Sequence, residues 1–171
     1  MPLASSTVVL AILVAGTGTG AAIDLVTRRI PNGVVVTTAL AGLAAAGVGA
    51  SDISVGASLF GLGVGIALML PGHLFGGTGA GDVKLFGAVG AVVGVERILW
   101  AFCYTALAGG VIAIIWALCH GRLALTLRRA GASLHRPGQT RAAIVSAGAG
   151  NTFPYGPAIA IGSVLATLLR G

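Results

Sequence analysis

Charge is what this sequence has least of. Of 171 residues, ten are Lys or Arg and four are Asp or Glu, 8% in all, where soluble globular domains carry about 25%. So few charges cannot cover a water-facing surface, which excludes an ordinary soluble domain. A disordered chain is excluded as well, because 56% of the residues are hydrophobic and the mean hydropathy is +1.01. Cysteine is almost missing. Cys103 and Cys119 fall inside one apolar stretch and no CxxC occurs, so a four-ligand zinc site cannot be built; both read as small buried hydrophobes. The net charge of +6 does not point to nucleic acid. Nine of the ten basic residues are Arg, in short clusters between apolar runs, as multi-pass membrane proteins distribute them.

What the chain has in abundance is apolar length and glycine. A spanning helix needs about 20 mostly apolar residues. Six candidates follow in order: Leu3 to about Ile23, about Gly33 to Ala50, Ile53 to about Leu70, Val83 to Val95, Ile98 to Cys119, and about Pro154 to Leu169. The fourth and sixth are short. The first lacks a positive leading region and is too long to resemble a cleaved signal peptide. Pro31 breaks the chain after it, and Asn32 is placed to cap the second span. Asp52 is placed to cap the third, and Pro71 with Gly72 ends it. Glu96 and Arg97 form a tight turn between the fourth and fifth. The 29 glycines suit close helix packing in a membrane. The expectation is an all-α, single-domain polytopic membrane protein of about six transmembrane helices, covering residues 1–171.

Loop charge sets the orientation. If the loop after the first span is cytoplasmic, Arg28, Arg29, Lys84, Arg122, Arg128, Arg129, Arg136 and Arg141 lie inside, and Arg97 and Arg170 outside: eight against two. That bias puts both termini outside.

Carboxylates at membrane depth are costly and need a reason. Asp52 and Glu96 fall in outside turns, where a helix cap and a solvated partner for Arg97 account for them. Asp24 and Asp82 instead fall at the cytoplasmic membrane boundary, one ending the first span and one beginning the fourth. Each has an ordinary role available, an i,i+4 pair with Arg28 or a helix cap. At one depth on different helices, they can also face each other. Asp82 stands in Gly79-Ala80-Gly81-Asp82-Val83-Lys84-Leu85, where glycines leave room for an extended peptide to approach. Asp24 is followed by Arg28-Arg29-Ile30-Pro31-Asn32, and Phe153-Pro154-Tyr155-Gly156-Pro157 opens the last span.

In this constellation the chain resembles the type IV prepilin peptidases, membrane-embedded aspartic proteases of the GxGD type. The resemblance runs from Asp24 to Pro157. It implies that Asp24 and Asp82 are the catalytic pair, supported by Gly79, Gly81, Lys84, Arg28, Pro154 and Gly156. It implies as substrate a prepilin or pilin-like protein with a short basic leader, cut at the cytoplasmic edge of its hydrophobic helix. Larger members carry a zinc-binding insert with two CxxC pairs and methylate the new N-terminus. Here the first loop is a few residues long and those cysteines are missing, as in the short, peptidase-only subgroup, so no metal, cofactor or methyltransferase activity is expected.

The remaining features have ordinary readings. The arginines of the polar segment about His120 to Gly150 set topology or meet anionic lipid headgroups. His73, His120 and His135 show no metal-ligand spacing, and Lys84 can snorkel at the membrane edge. Rival functions are a different GxGD protease, a pilus-assembly scaffold, and a small transporter or channel subunit whose aspartates move protons or ions.

Overall fold

A chain this apolar must satisfy its backbone within itself, and helices do so locally. The computed structural model describes residues 2–74, 77–119 and 155–169, and among them every regular element is a helix. In order these are α1 (Pro2–Thr27), α2 (Asn32–Gly47), α3 (Val55–Leu74), α4 (Ala80–Cys119) and α5 (Gly156–Leu169). Three of them, α1, α3 and α4, are long and apolar enough to cross a membrane, while α2 and α5 are apolar but shorter. The all-α expectation holds, with five helices where six were expected. The polar segment 120–150 and its arginines, His120, His135, Phe153, Pro154 and Arg170 lie outside the described residues.

The missing boundary lies inside α4. A turn was expected at Glu96 and Arg97, but helical structure is assigned through both, and the break falls at Gly94, with φ 78° and ψ 179°. That backbone conformation is open essentially to glycine alone. The chain doubles back there. The rings of Phe86 and Phe102 meet edge to face with centroids 6.1 Å apart, whereas a straight helix would separate them by about 24 Å.

The arm of α4 before the break, residues 80–93, is the hub of the fold. From Leu85 to Val93 it is buried on every side, as expected of a helix apolar all round. α3 crosses it with backbones touching. A Cβ on Gly61 would strike the carbonyl oxygen of Gly90, and one on Gly65 would lie 2.6 Å from that of Phe86. Ser58 Oγ closes this seam by donating to Ala91 O at 2.6 Å. Several other hydroxyls in the apolar helices bond one turn back along their own backbone, as Thr17 does to Leu13 O at 2.6 Å and Thr38 to Val34 O at 2.7 Å. The outer surface carries large apolar side chains such as Phe60, 73% exposed, consistent with a surface that meets lipid. Cys103 and Cys119 are on that surface and free, which corrects their reading as core residues; lipid is as apolar an environment as the core.

Three local expectations are also corrected. Pro71 does not end the third helix but lies inside it, three residues short of Leu74, where few backbone bonds remain for its ring to disrupt. Ser54, not Asp52, caps α3, its Oγ accepting the Ala57 N–H at 3.2 Å. Asn32 does not cap α2: Pro31 occupies that position with extended backbone, and Asn32 is already helical.

Candidate active site

α1 and α4 deliver one carboxyl each to the same end of the bundle. Asp24 is one turn from the end of α1 and 6% exposed; Asp82 is in the first turn of α4 and 7% exposed. Both line one cleft of about 270 Å³, together with Arg28, Arg29, Ile30, Gly79, Ala80 and Gly81. Eight residues from two distant stretches of sequence thus form one concave site, and four of them are charged.

Backbone N–H groups hold both carboxylates. Gly79 N donates to Asp82 Oδ2 at 2.9 Å. Gly79 precedes the first helical residue, so this is the returning half of a capping box, with the helix's third residue bonding the cap N–H. The expectation that Asp82 caps α4 therefore holds in this modified form. Gly156 N, the first N–H of α5, donates to Asp24 Oδ2 at 3.1 Å, so Asp24 lies at the positive end of α5. A Cβ at 156 would come 3.0 Å from Asp24 Oδ2 and 3.2 Å from the Ala21 Cα, so glycine is what lets α5 approach.

The two glycines of the GxGD stretch are crowded, not open as expected. A Cβ on Gly81 would lie 3.1 Å from the Ile30 Cβ, and one on Gly79 would lie 3.1 Å from Asp82 Oδ2. Their small size lets the chain after α1 and the aspartate's own carboxyl close in. Lys84 does more than snorkel: its Nζ donates to Asn32 Oδ1 at 3.3 Å, tying α4 to the start of α2. Arg28 stands at the cleft just past α1, its N–H on Asp24 O at 2.8 Å and its φ at +53°, a left-handed conformation uncommon for a residue with a Cβ.

Two neighbours of the site had no assigned part. The ring of Tyr155 rests where a Cβ on Gly109 would be, 3.0 Å from its hydroxyl oxygen. His73, at the end of α3, bonds Thr78 O through Nδ1 at 2.9 Å. A lone histidine or tyrosine in sequence gives no sign of such a place. Among the described residues no three His, Cys, Asp or Glu side chains gather to hold a metal ion.

The family model described as the type IV leader peptidase family matches residues 8–114, a stretch containing both cleft aspartates and more than half of the chain. The chain belongs to the type IV leader peptidase family. No curated protein and no solved structure matches it. As a leader peptidase of this family it is a membrane protein and a protease in general character. The match stops short of α5, so the contact of Gly156 with Asp24 is contributed by the structure alone.

Proposed function

We propose that this leader peptidase is a membrane aspartic endopeptidase that removes the leader of type IV prepilins or pilin-like proteins at the cytoplasmic membrane face. The observation that carries the reading is the joint cleft: two buried carboxyls from separate helices, each with Oδ2 on a backbone N–H. Two close carboxyls do not both ionise readily and share one proton. The ionised one takes a proton from water, whose oxygen attacks the scissile carbonyl carbon. The other gives its proton to the carbonyl oxygen. When the tetrahedral species collapses, the C–N bond breaks and the new amine takes a proton from the dyad. With each Oδ2 on a backbone N–H, this proton traffic runs through Oδ1 in this reading.

The same reading takes the chain as one peptidase domain. Crossings by α1, α2, α3, both arms of α4 and α5 give six, with both termini outside and the cleft at the cytoplasmic edge. Gly79, Gly81, Gly156, Lys84 and Arg28 shape and hold the cleft. The reaction calls on no metal or cofactor. The test is leader removal from a co-expressed prepilin-like substrate, read by mass. Native cleavage, lost in both Asp24→Asn and Asp82→Asn with expression intact, is the expected result. A folded native chain that cleaves no such substrate overturns the reading and directs the same variants to proton and ion flux measurements.

A further inference from the structure

The hydrogen bond that holds Asp82 does not end at Gly79. The N–H that Gly79 donates to Asp82 Oδ2 belongs to the same peptide group as the carbonyl of Thr78. That carbonyl is bonded by His73 Nδ1 at 2.9 Å. A carbonyl only accepts, so Nδ1 carries the hydrogen. One peptide plane therefore links an imidazole on α3 to a carboxyl on α4: imidazole N–H to carbonyl oxygen, amide N–H to carboxylate oxygen. A hydrogen bond accepted at a peptide's oxygen polarises it and strengthens the bond donated by its nitrogen.

The neighbouring contacts fix this peptide against α3. Gly77 N donates to Gly72 O at 2.8 Å. The Thr78 side chain lies against Gly72, where a Cβ would meet Oγ1 at 3.3 Å and Cγ2 at 3.4 Å. These contacts set where the peptide sits; the His73 bond sets its rotation. Turning the peptide about its flanking bonds would swing the Gly79 N–H off Asp82 and free Oδ2 to rotate.

We propose that His73 is a positioning residue for the carboxyl of Asp82, acting through the Thr78–Gly79 peptide. It touches neither substrate nor the reacting atoms, and this role rests on the peptidase reading of the cleft. Asn at position 73 can offer an N–H from nearly the place of Nδ1, while Leu offers none, so His73→Asn and His73→Leu form the test pair.

Each variant is measured as the full chain in detergent, for leader-removal kinetics and for hydrogen exchange of the Gly79 amide. His73→Leu is expected to lower kcat about tenfold, the size of one lost hydrogen bond, with KM unchanged. Its Gly79 amide should exchange faster. His73→Asn should restore both to within about threefold of native. A His73→Leu variant with native kcat and native Gly79 protection overturns the role. So does an Asn variant as impaired as Leu, which would mean that ring packing, not the N–H, matters. Equal loss of helical content in both variants would likewise assign His73 to folding. If the native chain cleaves nothing, the peptidase reading falls, and the Gly79 exchange still decides whether His73 holds that peptide.

Discussion

Four carboxylates in one chain fall into two pairs with opposite fates. Asp52 precedes α3 and Glu96 follows the break at Gly94; both are exposed. Asp24 and Asp82 are buried, share a cleft, and each accepts a backbone N–H. In a protein this poor in charge, a helix end alone does not decide whether a carboxylate is buried, since all four lie close to one. Burial with a fixed donor separates the pairs. A buried carboxylate without such a donor would be costly, and the N–H groups of Gly79 and Gly156 are what make burial tolerable.

The separation breaks most visibly on amide replacement. Asp24→Asn and Asp82→Asn should each lower leader cleavage by at least about a hundredfold, while Asp52→Asn and Glu96→Gln stay within about twofold of native. Comparable losses in both pairs would remove the distinction. Next comes the seam that seats Asp82. Gly61→Ala and Gly90→Ala force α3 from the hub and should each cost about 1–3 kcal/mol in detergent unfolding. Gly63→Ala is the control, since a Cβ there meets nothing within 4 Å. Smaller again is Gly156→Ala, whose Cβ would crowd Asp24. About tenfold less cleavage is expected, the size of one hydrogen bond disturbed, with helical content by circular dichroism unchanged. The smallest effect belongs to the left-handed turn. Both Arg28→Gly and Arg28→Ala remove the side chain, but only Ala keeps the backbone cost, so the Gly variant should unfold later by about 1 kcal/mol.

Much of this was legible before any fold was known. Apolar run length announces helices, and the spacing of Asp24 and Asp82 puts both at one end of the bundle. What was not legible has common physical causes. The turn inside α4 depends on which residue can adopt a φ of 78°; Glu96 and Arg97 looked polar enough to turn, but Gly94 alone had the conformational freedom. Side-chain charge also drew attention from backbone donors: Gly79 and Gly156 hold the carboxyls through N–H groups that every residue except proline carries. His73 and Asn32 act on partners that only packing brings near, and no periodicity marks such a pair.

The bond between Gly156 and Asp24 joins residues 132 positions apart. Translation makes Asp24 early and Gly156 late, and chains fold as they emerge. The cleft is therefore complete only after nearly all the rest of the bundle exists. Until α5 docks, one of the two carboxyls lacks its backbone donor. A nascent chain, or one cut between α4 and α5, would carry both aspartates with the carboxyl of Asp24 still short of its backbone donor.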